Sequence, residues 1–156
     1  MSTNDMVVCL ANGLAKNRRL TRIDNAYEFF QLALKTVCLD LAQKIVADGE
    51  GATKFIEVKV LGAQNHAQAR AVGLSIANSI LVKTAAYGNN PNWGRMVAAV
   101  GSYGLPITEK QLKIHFSSFK KHHIIITVDL NLGHNQATIY TTDLSPQYVE
   151  INAHYS

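Results

Sequence analysis

The chain has 156 residues, a hydrophobic fraction of 47% and a charged fraction of 17%, which exclude a disordered chain and a fibre. A chain of this length can bury roughly two-thirds of its unfolded surface, so we expect a single domain over residues 1–156. The net charge of +4 and the pI near 9.1 leave nucleic acids and small anionic metabolites open as partners.

The basic residues cluster at Lys16–Arg22 and at Lys120–His123. Neither cluster contains interleaved aromatic side chains on which bases could stack, and both are typical of solvated loops and helix ends. We therefore expect no nucleic-acid partner.

The two cysteines and the first residues indicate the compartment. Cys9 and Cys38 lie in apolar stretches and form no disulfide framework, which predicts buried, reduced thiols. Met1–Asp5 carry no basic segment ahead of an apolar core, so they do not resemble a signal peptide. No apolar run approaches the length of about 20 residues that spans a membrane. A cytoplasmic protein without a membrane partner is predicted.

The first half of the chain begins with Met6–Leu14, which fits either a short buried strand or the start of a helix. Asn25 can cap a helix that runs to about Asp48, where Gly49 and Gly51 can stop it. The apolar positions of this helix fall at helical intervals. They are Phe29, Phe30, Leu32, Leu34, Val37, Leu41, Ile45 and Val46.

The middle of the chain alternates between strand and helix patterns. Lys54–Leu61 has the alternation of a half-buried strand. A second long helix is predicted from Asn65 to about Ala86, followed by a loop at Tyr87–Arg95 and a short apolar segment, Met96–Val100, that can continue as helix. The apolar face of the strand is Ile56, Val58 and Val60.

The last third contains a capping box, in which Thr108 and Gln111 begin a helix. His123–Leu130 and Gln136–Thr141 are predicted to pair as an antiparallel hairpin, and Ser145 caps a last helical turn. This order of elements predicts a mixed α/β (α+β) architecture with helices packed on a partly antiparallel sheet. The buried face of the capped helix is Leu112, Phe116 and Phe119.

Few residues suggest chemistry by their spacing. The six histidines stand at no zinc-site spacing, so we expect no metal and no bound cofactor. Asp48–Lys54 (DGEGATK) lacks the spacing of a phosphate loop but places Glu50 between two glycines, where its carboxylate could bind a substrate ammonium. The same residues fit a solvent-exposed turn. Ser2 could act as an N-terminal nucleophile after removal of Met1, although no oxyanion donor can be assigned to it.

Several stretches in order resemble the ornithine acetyltransferase family, which is also called the bifunctional glutamate N-acetyltransferase and amino-acid acetyltransferase of arginine biosynthesis. DGEGATK and PNWGR are the specific motifs among them. The matching stretches are Ser2–Asp5 with Ala11–Gly13, Asp48–Val58, Ser79–Ala85, Asn90–Arg95, and Thr142–Leu144 with Tyr148–Val149 and Ile151–Ala153.

The resemblance implies an incomplete DmpA/ornithine acetyltransferase-like fold, the C-terminal portion of a β chain. Members of this family cleave themselves, and the new N-terminal threonine takes acetyl from N-acetylornithine and passes it to glutamate, which gives N-acetylglutamate. Some members also accept acetyl-CoA, and the resemblance implies an oligomer. Glu50 and Asn152 match substrate-binding residues of the family. The PNWGR segment would either shape a loop near the site or contact substrate.

Three departures from the family pattern bear on activity. The family's nucleophile and oxyanion residues lie upstream of the segment that matches Ser2–Asp5, so this chain has no catalytic residue, and neither Thr3 nor Ser2 is the nucleophile. The stretch between Val100 and Leu105 is short for the family. A terminal Ser or Thr of the substrate site falls just beyond Ser156, which could replace it only imperfectly.

Three functions follow from these features. The first is a portion of the acetyltransferase that is inactive alone and needs an upstream α chain or β-chain segment. The second is a non-catalytic remnant that keeps an amino-acid site or an oligomerisation surface. The third and least favoured is a basic nucleic-acid-binding module, which would show a steep salt dependence.

Overall fold

The computed structural model describes residues 6–22, 25–108 and 110–154. The chain divides into two compact units, Met1–Ile45 and Val46–Ser156. No helix in the described ranges is long and apolar enough to cross a membrane.

The first unit is dominated by helix α1, Asn25–Ala47, which ends one residue before the predicted stop at Asp48. Its apolar side chains are largely exposed, and only Val46 at its end is buried. The prediction of a buried strand or helix start at Met6–Leu14 is wrong, because these residues are exposed and form neither element. Cys9 and Cys38 are also exposed rather than buried, since neither segment packs its side chains against a core.

The second unit is built on a four-stranded mixed sheet in the order β2-β3-β1-β4. The central pair, β1 and β3, is parallel, whereas β4 and β2 lie antiparallel to β1 and β3 respectively. This sheet, with its helices, confirms the predicted mixed α/β architecture. The strands are β1 (Phe55–Ala63), β2 (Lys113–Phe116), β3 (His123–Asp129) and β4 (Asn135–Thr142).

Strands β3 and β4 do not form the predicted hairpin, because β1 lies between them. Val58 is paired with Ile126 on one side and with Ile139 on the other. The connection from β3 to β4 passes over the end of β1, where the Leu130 and Leu132 amides donate to the carbonyls of Leu61 (3.0 Å) and Gly62 (2.7 Å). A short loop between two apolar strands resembles a hairpin in sequence, but β1 pairs with both strands and separates them.

The predicted long helix from Asn65 to Ala86 is two helices. Helix α2 is His66–Ala77, capped by the Asn65 side chain, and α3 is Ile80–Tyr87. The Ser79 hydroxyl accepts from the amide of Val82 at 3.4 Å and so begins a new helix where one was expected to continue.

Helix α4, Trp93–Gly101, begins inside the predicted loop and includes the segment Met96–Val100. The helix predicted from Thr108 is absent. Gln111 does bond Thr108 as in a capping box, at 2.9 Å from both its amide and its hydroxyl, but residues 113–116 form β2. Lys113–Phe116 alternates between exposed and half-buried side chains, so it suits a strand edge better than a helix.

The core lies between the sheet and α2 with α4. Gly73 lets α2 approach β4 closely, because a Cβ atom there would lie 2.6 Å from Ile139 Cγ1. The apolar face predicted for β1 is confirmed, with each of its three side chains at most 1% exposed. Buried side chains that surround it are Val72, Ile76, Met96, Val100, Ile124, Ile126 and Val128.

Candidate functional site

The candidate site is built on the Glu50 loop, Asp48–Lys54, which joins α1 to β1. Asn152 lies on α5 (Pro146–Ala153) near the end of the described chain. Its Nδ2 atom donates to Glu50 Oε2 at 3.1 Å and to the carbonyl of Tyr148 at 2.9 Å. The two residues singled out as substrate-binding therefore lie side by side, with Glu50 half-buried and Asn152 exposed.

Helix α5 begins at the loop itself. The Ser145 hydroxyl accepts from the amide of Tyr148 at 3.1 Å, which caps the helix as its sequence predicts, with Pro146 in the first turn. The same hydroxyl donates to the carbonyl of Gly51 at 2.5 Å. One side chain thus caps α5 and fastens it to the Glu50 loop.

Gly51 is required where α5 meets the loop. Its φ of +64° is in the left-handed region, and a Cβ atom would lie 2.5 Å from the backbone nitrogen of Tyr148. Glycines flank Glu50, the residue expected to bind a substrate. At Gly51 the close neighbour is instead the backbone of α5.

Asp143 anchors the other side of the loop. It lies between β4 and α5, and its carboxylate accepts from the amides of Thr53 (2.8 Å) and Lys54 (3.0 Å) and from the hydroxyl of Thr53 (2.5 Å). The Thr142-Asp143-Leu144 stretch, which has little meaning as a motif alone, therefore determines where the loop lies.

Helix α3 adds a half-buried cation to this region. Lys83 Nζ donates to Thr141 Oγ1 at 3.2 Å, and the carbonyl of Lys83 accepts from the amide of Leu144 at 3.4 Å. Burial lowers the pKa of Lys83 below 10.5, and the nearby charge of Asp143 opposes part of that shift. Lys83 and Asp143 were not identified as site residues, since their proximity arises from the fold and not from sequence spacing.

The PNWGR segment contacts α3. The Asn92 side chain caps α4 by accepting from the amide of Arg95 at 3.1 Å. Arg95 Nη1 donates to the carbonyl of Leu81 at 2.9 Å and to Thr84 Oγ1 at 3.3 Å. These contacts favour the expectation that the PNWGR segment shapes the structure near the site over the expectation that it contacts substrate. A cavity of about 450 Å³ beside it, between α2, α3 and α4, is lined by neither Glu50 nor Asn152.

The remaining expectations from the sequence concern the terminal residues and a metal site. Ser2, Thr3 and Ser156 lie outside the described residues. Within the described ranges, no group of three or more His, Cys, Asp or Glu side chains could hold a metal ion. The arrangement is a carboxylate beside a carboxamide, positioned by a buried acid and a helix cap.

Comparisons with known proteins identify relatives of the chain. The model of the ArgJ family matches residues 1–123 and 117–156. The "Arginine biosynthesis bifunctional protein ArgJ" of Geobacter sulfurreducens is 42% identical over 176 residues, which cover 99% of this chain and 45% of the relative. The protein of that name from Desulfotalea psychrophila is 42% identical over 175 residues, with 99% and 44% covered.

A solved structure agrees with these matches. The crystal structure of the arginine biosynthesis bifunctional protein argJ of Bacillus halodurans superposes with a TM-score of 0.89 at 39% identity, covering 99% of this chain and 83% of that chain. The comparisons confirm the family resemblance inferred from the sequence. The chain spans less than half the length of the curated relatives it matches.

The alignment is also longer than the chain. It extends over 176 positions in the Geobacter sulfurreducens comparison, whereas this chain has 156 residues, so at least 20 positions lack a counterpart here. The two parts of the family match overlap in the connection at residues 117–123. That connection, from β2 to β3, is closed by the Ser117 amide donating to the Ile125 carbonyl at 2.9 Å.

Proposed function

The chain belongs to the ArgJ family, and from this membership we propose that it is one portion of an acyltransferase of arginine biosynthesis. The proposed reaction moves acetyl from N-acetylornithine to glutamate and yields N-acetylglutamate. The observation that carries the proposal is the Glu50–Asn152 pair, since the residues that resemble the family's substrate contacts lie 3.1 Å apart.

The chemistry of the pair suits an amino-acid substrate. The Glu50 carboxylate can accept hydrogen bonds from a substrate ammonium, and charge-assisted bonds of this kind are stronger than neutral ones. The Asn152 carboxamide offers both a donor and an acceptor beside it. Together they form one wall of a polar pocket for ornithine or glutamate.

The proposal assigns no nucleophile to this chain. An N-terminal threonine would have to come from a polypeptide that corresponds to the upstream part of the relatives, and we propose no transfer by the 156 residues alone. The reaction needs no bound cofactor, because acetyl passes through the threonine hydroxyl, and acetyl-CoA would enter only as an alternative donor. The proposed setting is the cytoplasm, and an oligomer is expected.

Helix α1 supports a partner polypeptide. Its large apolar side chains are 40% to 74% exposed. Exposed apolar residues in such number on one helix normally mark a contact with another polypeptide. We therefore assign this surface to the missing part of the acyltransferase. The exposed apolar residues are Phe29, Phe30, Leu32, Leu34, Val37, Leu39 and Leu41.

The test is an acetyl-transfer assay with labelled N-acetylornithine and glutamate. The chain is assayed alone and with the part of the Geobacter sulfurreducens relative that it does not match. We expect transfer only in the mixture, and none when the chain carries Glu50→Ala. Robust turnover by the lone chain, or full activity of the mixture with Glu50→Ala, would contradict the proposal.

A second candidate is a non-catalytic amino-acid-binding module. At least 20 aligned positions have no counterpart in this chain, which favours this candidate because the Glu50–Asn152 pair is retained without them. This candidate predicts Glu50-dependent binding of ornithine or N-acetylglutamate and no transfer in any mixture. The transfer assay and a binding measurement together separate the two functions.

A further inference from the structure

Asp143 is a buried acid in the link between β4 and α5, with 3% of its surface exposed. Among the side chains of residues 6–22, 25–108 and 110–154, it is the only ionisable one that belongs to the buried set. A carboxylate withdrawn from water needs hydrogen-bond donors or a nearby positive charge. The donors that Asp143 uses all belong to one segment.

That segment is the Glu50 loop. Asp143 Oδ1 accepts from the amides of Thr53 and Lys54, and Oδ2 accepts from the Thr53 hydroxyl. The charge of Asp143 also stabilises the protonated form of Lys83, on α3. Because both carboxylate oxygens are engaged by the loop, removal of the carboxylate leaves two loop amides without their acceptor.

Two residues after Asp143, Ser145 holds the loop from the other side. Its hydroxyl donates to the carbonyl of Gly51 and accepts from the amide of Tyr148, which fixes the start of α5. Asn152 lies one further turn along the same helix and bonds the Tyr148 carbonyl. The short link 143–145 therefore sets the loop and the helix in one fixed relation.

We infer that Asp143 is a positioning residue that holds the Glu50 loop so that Glu50 meets Asn152. Asp143 touches no substrate in this role and acts only through its hydrogen bonds to Thr53 and Lys54. Its consequence for substrate affinity rests on the proposed function, whereas its effect on the Glu50–Asn152 contact does not.

The first test needs no ligand. The side-chain amide signals of Asn152 are recorded by NMR in the full chain, in Glu50→Ala, and in Asp143→Ala. We expect Asp143→Ala to move these signals in the same direction as Glu50→Ala, because Glu50→Ala removes the carboxylate that Asn152 contacts and Asp143→Ala displaces it. Unmoved Asn152 signals in a folded Asp143→Ala protein would overturn the inference.

A matched control separates positioning from general loss of stability. Val128→Ala removes buried apolar volume at the end of β1 remote from the loop, where Val128 pairs with Val60. Its Asn152 signals should stay at the wild-type position. If Val128→Ala moves them as far as Asp143→Ala does, the role is merely structural and the inference fails.

Milder variants keep the test decisive if Asp143→Ala does not fold. Asp143→Asn retains an oxygen for the two loop amides, and Thr53→Ala removes only the hydroxyl bond. We expect a smaller displacement of the Asn152 signals in both than in Glu50→Ala, and a complete absence of displacement in both would overturn the inference.

Ornithine titration supplies the functional arm. We expect Asp143→Ala, or Thr53→Ala if the former is unfolded, to weaken ornithine binding by roughly tenfold while Val128→Ala changes it less than about twofold. If the wild-type chain binds no ornithine, the proposed function fails. The Asn152 NMR signals, which are recorded without ornithine, then still test the positioning role of Asp143. If affinity is unchanged while the Asn152 signals move, the inferred link from position to substrate binding is overturned.

Discussion

Asn152 donates a hydrogen bond to Glu50 over 3.1 Å, although 102 residues separate them in the chain. The contact depends on two independent connections between the Glu50 loop and the segment that leads into α5. Asp143 holds the amides at the end of the loop, and Ser145 holds the carbonyl of Gly51. This arrangement brings Glu50 and Asn152, which are distant in sequence, together on one polar surface.

The pair should show energetic coupling. In a double-mutant cycle of Glu50→Ala and Asn152→Ala, we expect the free energies of unfolding to deviate from additivity by about 0.5–1 kcal/mol, because one hydrogen bond is lost in either variant. Urea denaturation measures the cycle. The control cycle replaces Asn152→Ala with Glu150→Ala, an exposed residue of the same helix, and should be additive. Additivity in both cycles would show that the contact carries no energy.

The close approach of α5 to the loop predicts different costs for two glycine substitutions. Gly51→Ala should lower the free energy of unfolding by about 3 kcal/mol, since it combines a left-handed backbone with a clash against Tyr148. Gly104→Ala is the control. Its φ is +76°, but an added Cβ meets no atom within 4 Å, so only about 1 kcal/mol should be lost. Equal losses in thermal or urea unfolding would contradict the described packing of α5.

Lys83 should make stability depend on alkaline pH. Its pKa is lower in the folded chain than the ordinary 10.5, so between the two values the unfolded chain binds more protons. The cost of its buried charge is therefore fully present below the folded pKa and is relieved as pH rises towards 10.5. We expect the free energy of unfolding, measured relative to Lys83→Met, to increase as the pH rises towards 10.5.

A second variant tests the cause of that pH dependence. Asp143 raises the pKa of Lys83 in opposition to burial, so Asp143→Asn should lower it further and begin the increase at lower pH. A difference between wild type and Lys83→Met that stays constant or falls with pH would show that Lys83 is not buried as described.

The exposed apolar surface of α1 predicts a docking surface for the proposed upstream polypeptide. Val37→Lys should weaken binding of the unmatched part of the Geobacter sulfurreducens relative at least roughly tenfold, because a lysine would be buried in place of an apolar contact. Gln31→Lys adds the same charge at an exposed polar position of α1 and should have a smaller effect. Surface plasmon resonance measures both, and equal affinities of wild type and Val37→Lys would remove α1 from the interface.

The sequence predicts those parts of the fold that depend on local pattern. The extent of α1, the buried face of β1 and the Ser145 cap follow from periodicity and capping chemistry, which act over a few residues. The order of the strands in the sheet does not follow from such local patterns. A loop of the same length fits a hairpin or a connection across β1, and only long-range packing decides between them.

The same limit applies to the site. Glu50 and Asn152 were found through resemblance, whereas Asp143 was not, because its partners Thr53 and Lys54 lie 90 and 89 residues away. The helix expected at Thr108 shows the reverse error. The local capping contact with Gln111 forms, but the alternation in Lys113–Phe116 and pairing with β3 produce a strand.

The most direct measurement of the central claim is calorimetric titration of the full chain with ornithine, in wild type and in Glu50→Gln. The substitution keeps the size of the side chain and an acceptor for Asn152 but removes the charge that would hold an ammonium group. We predict saturable binding to wild type and affinity at least roughly tenfold lower in Glu50→Gln. Equal affinity of the two proteins, or no binding to either, would contradict the assignment of Glu50 and Asn152 as a substrate-binding wall.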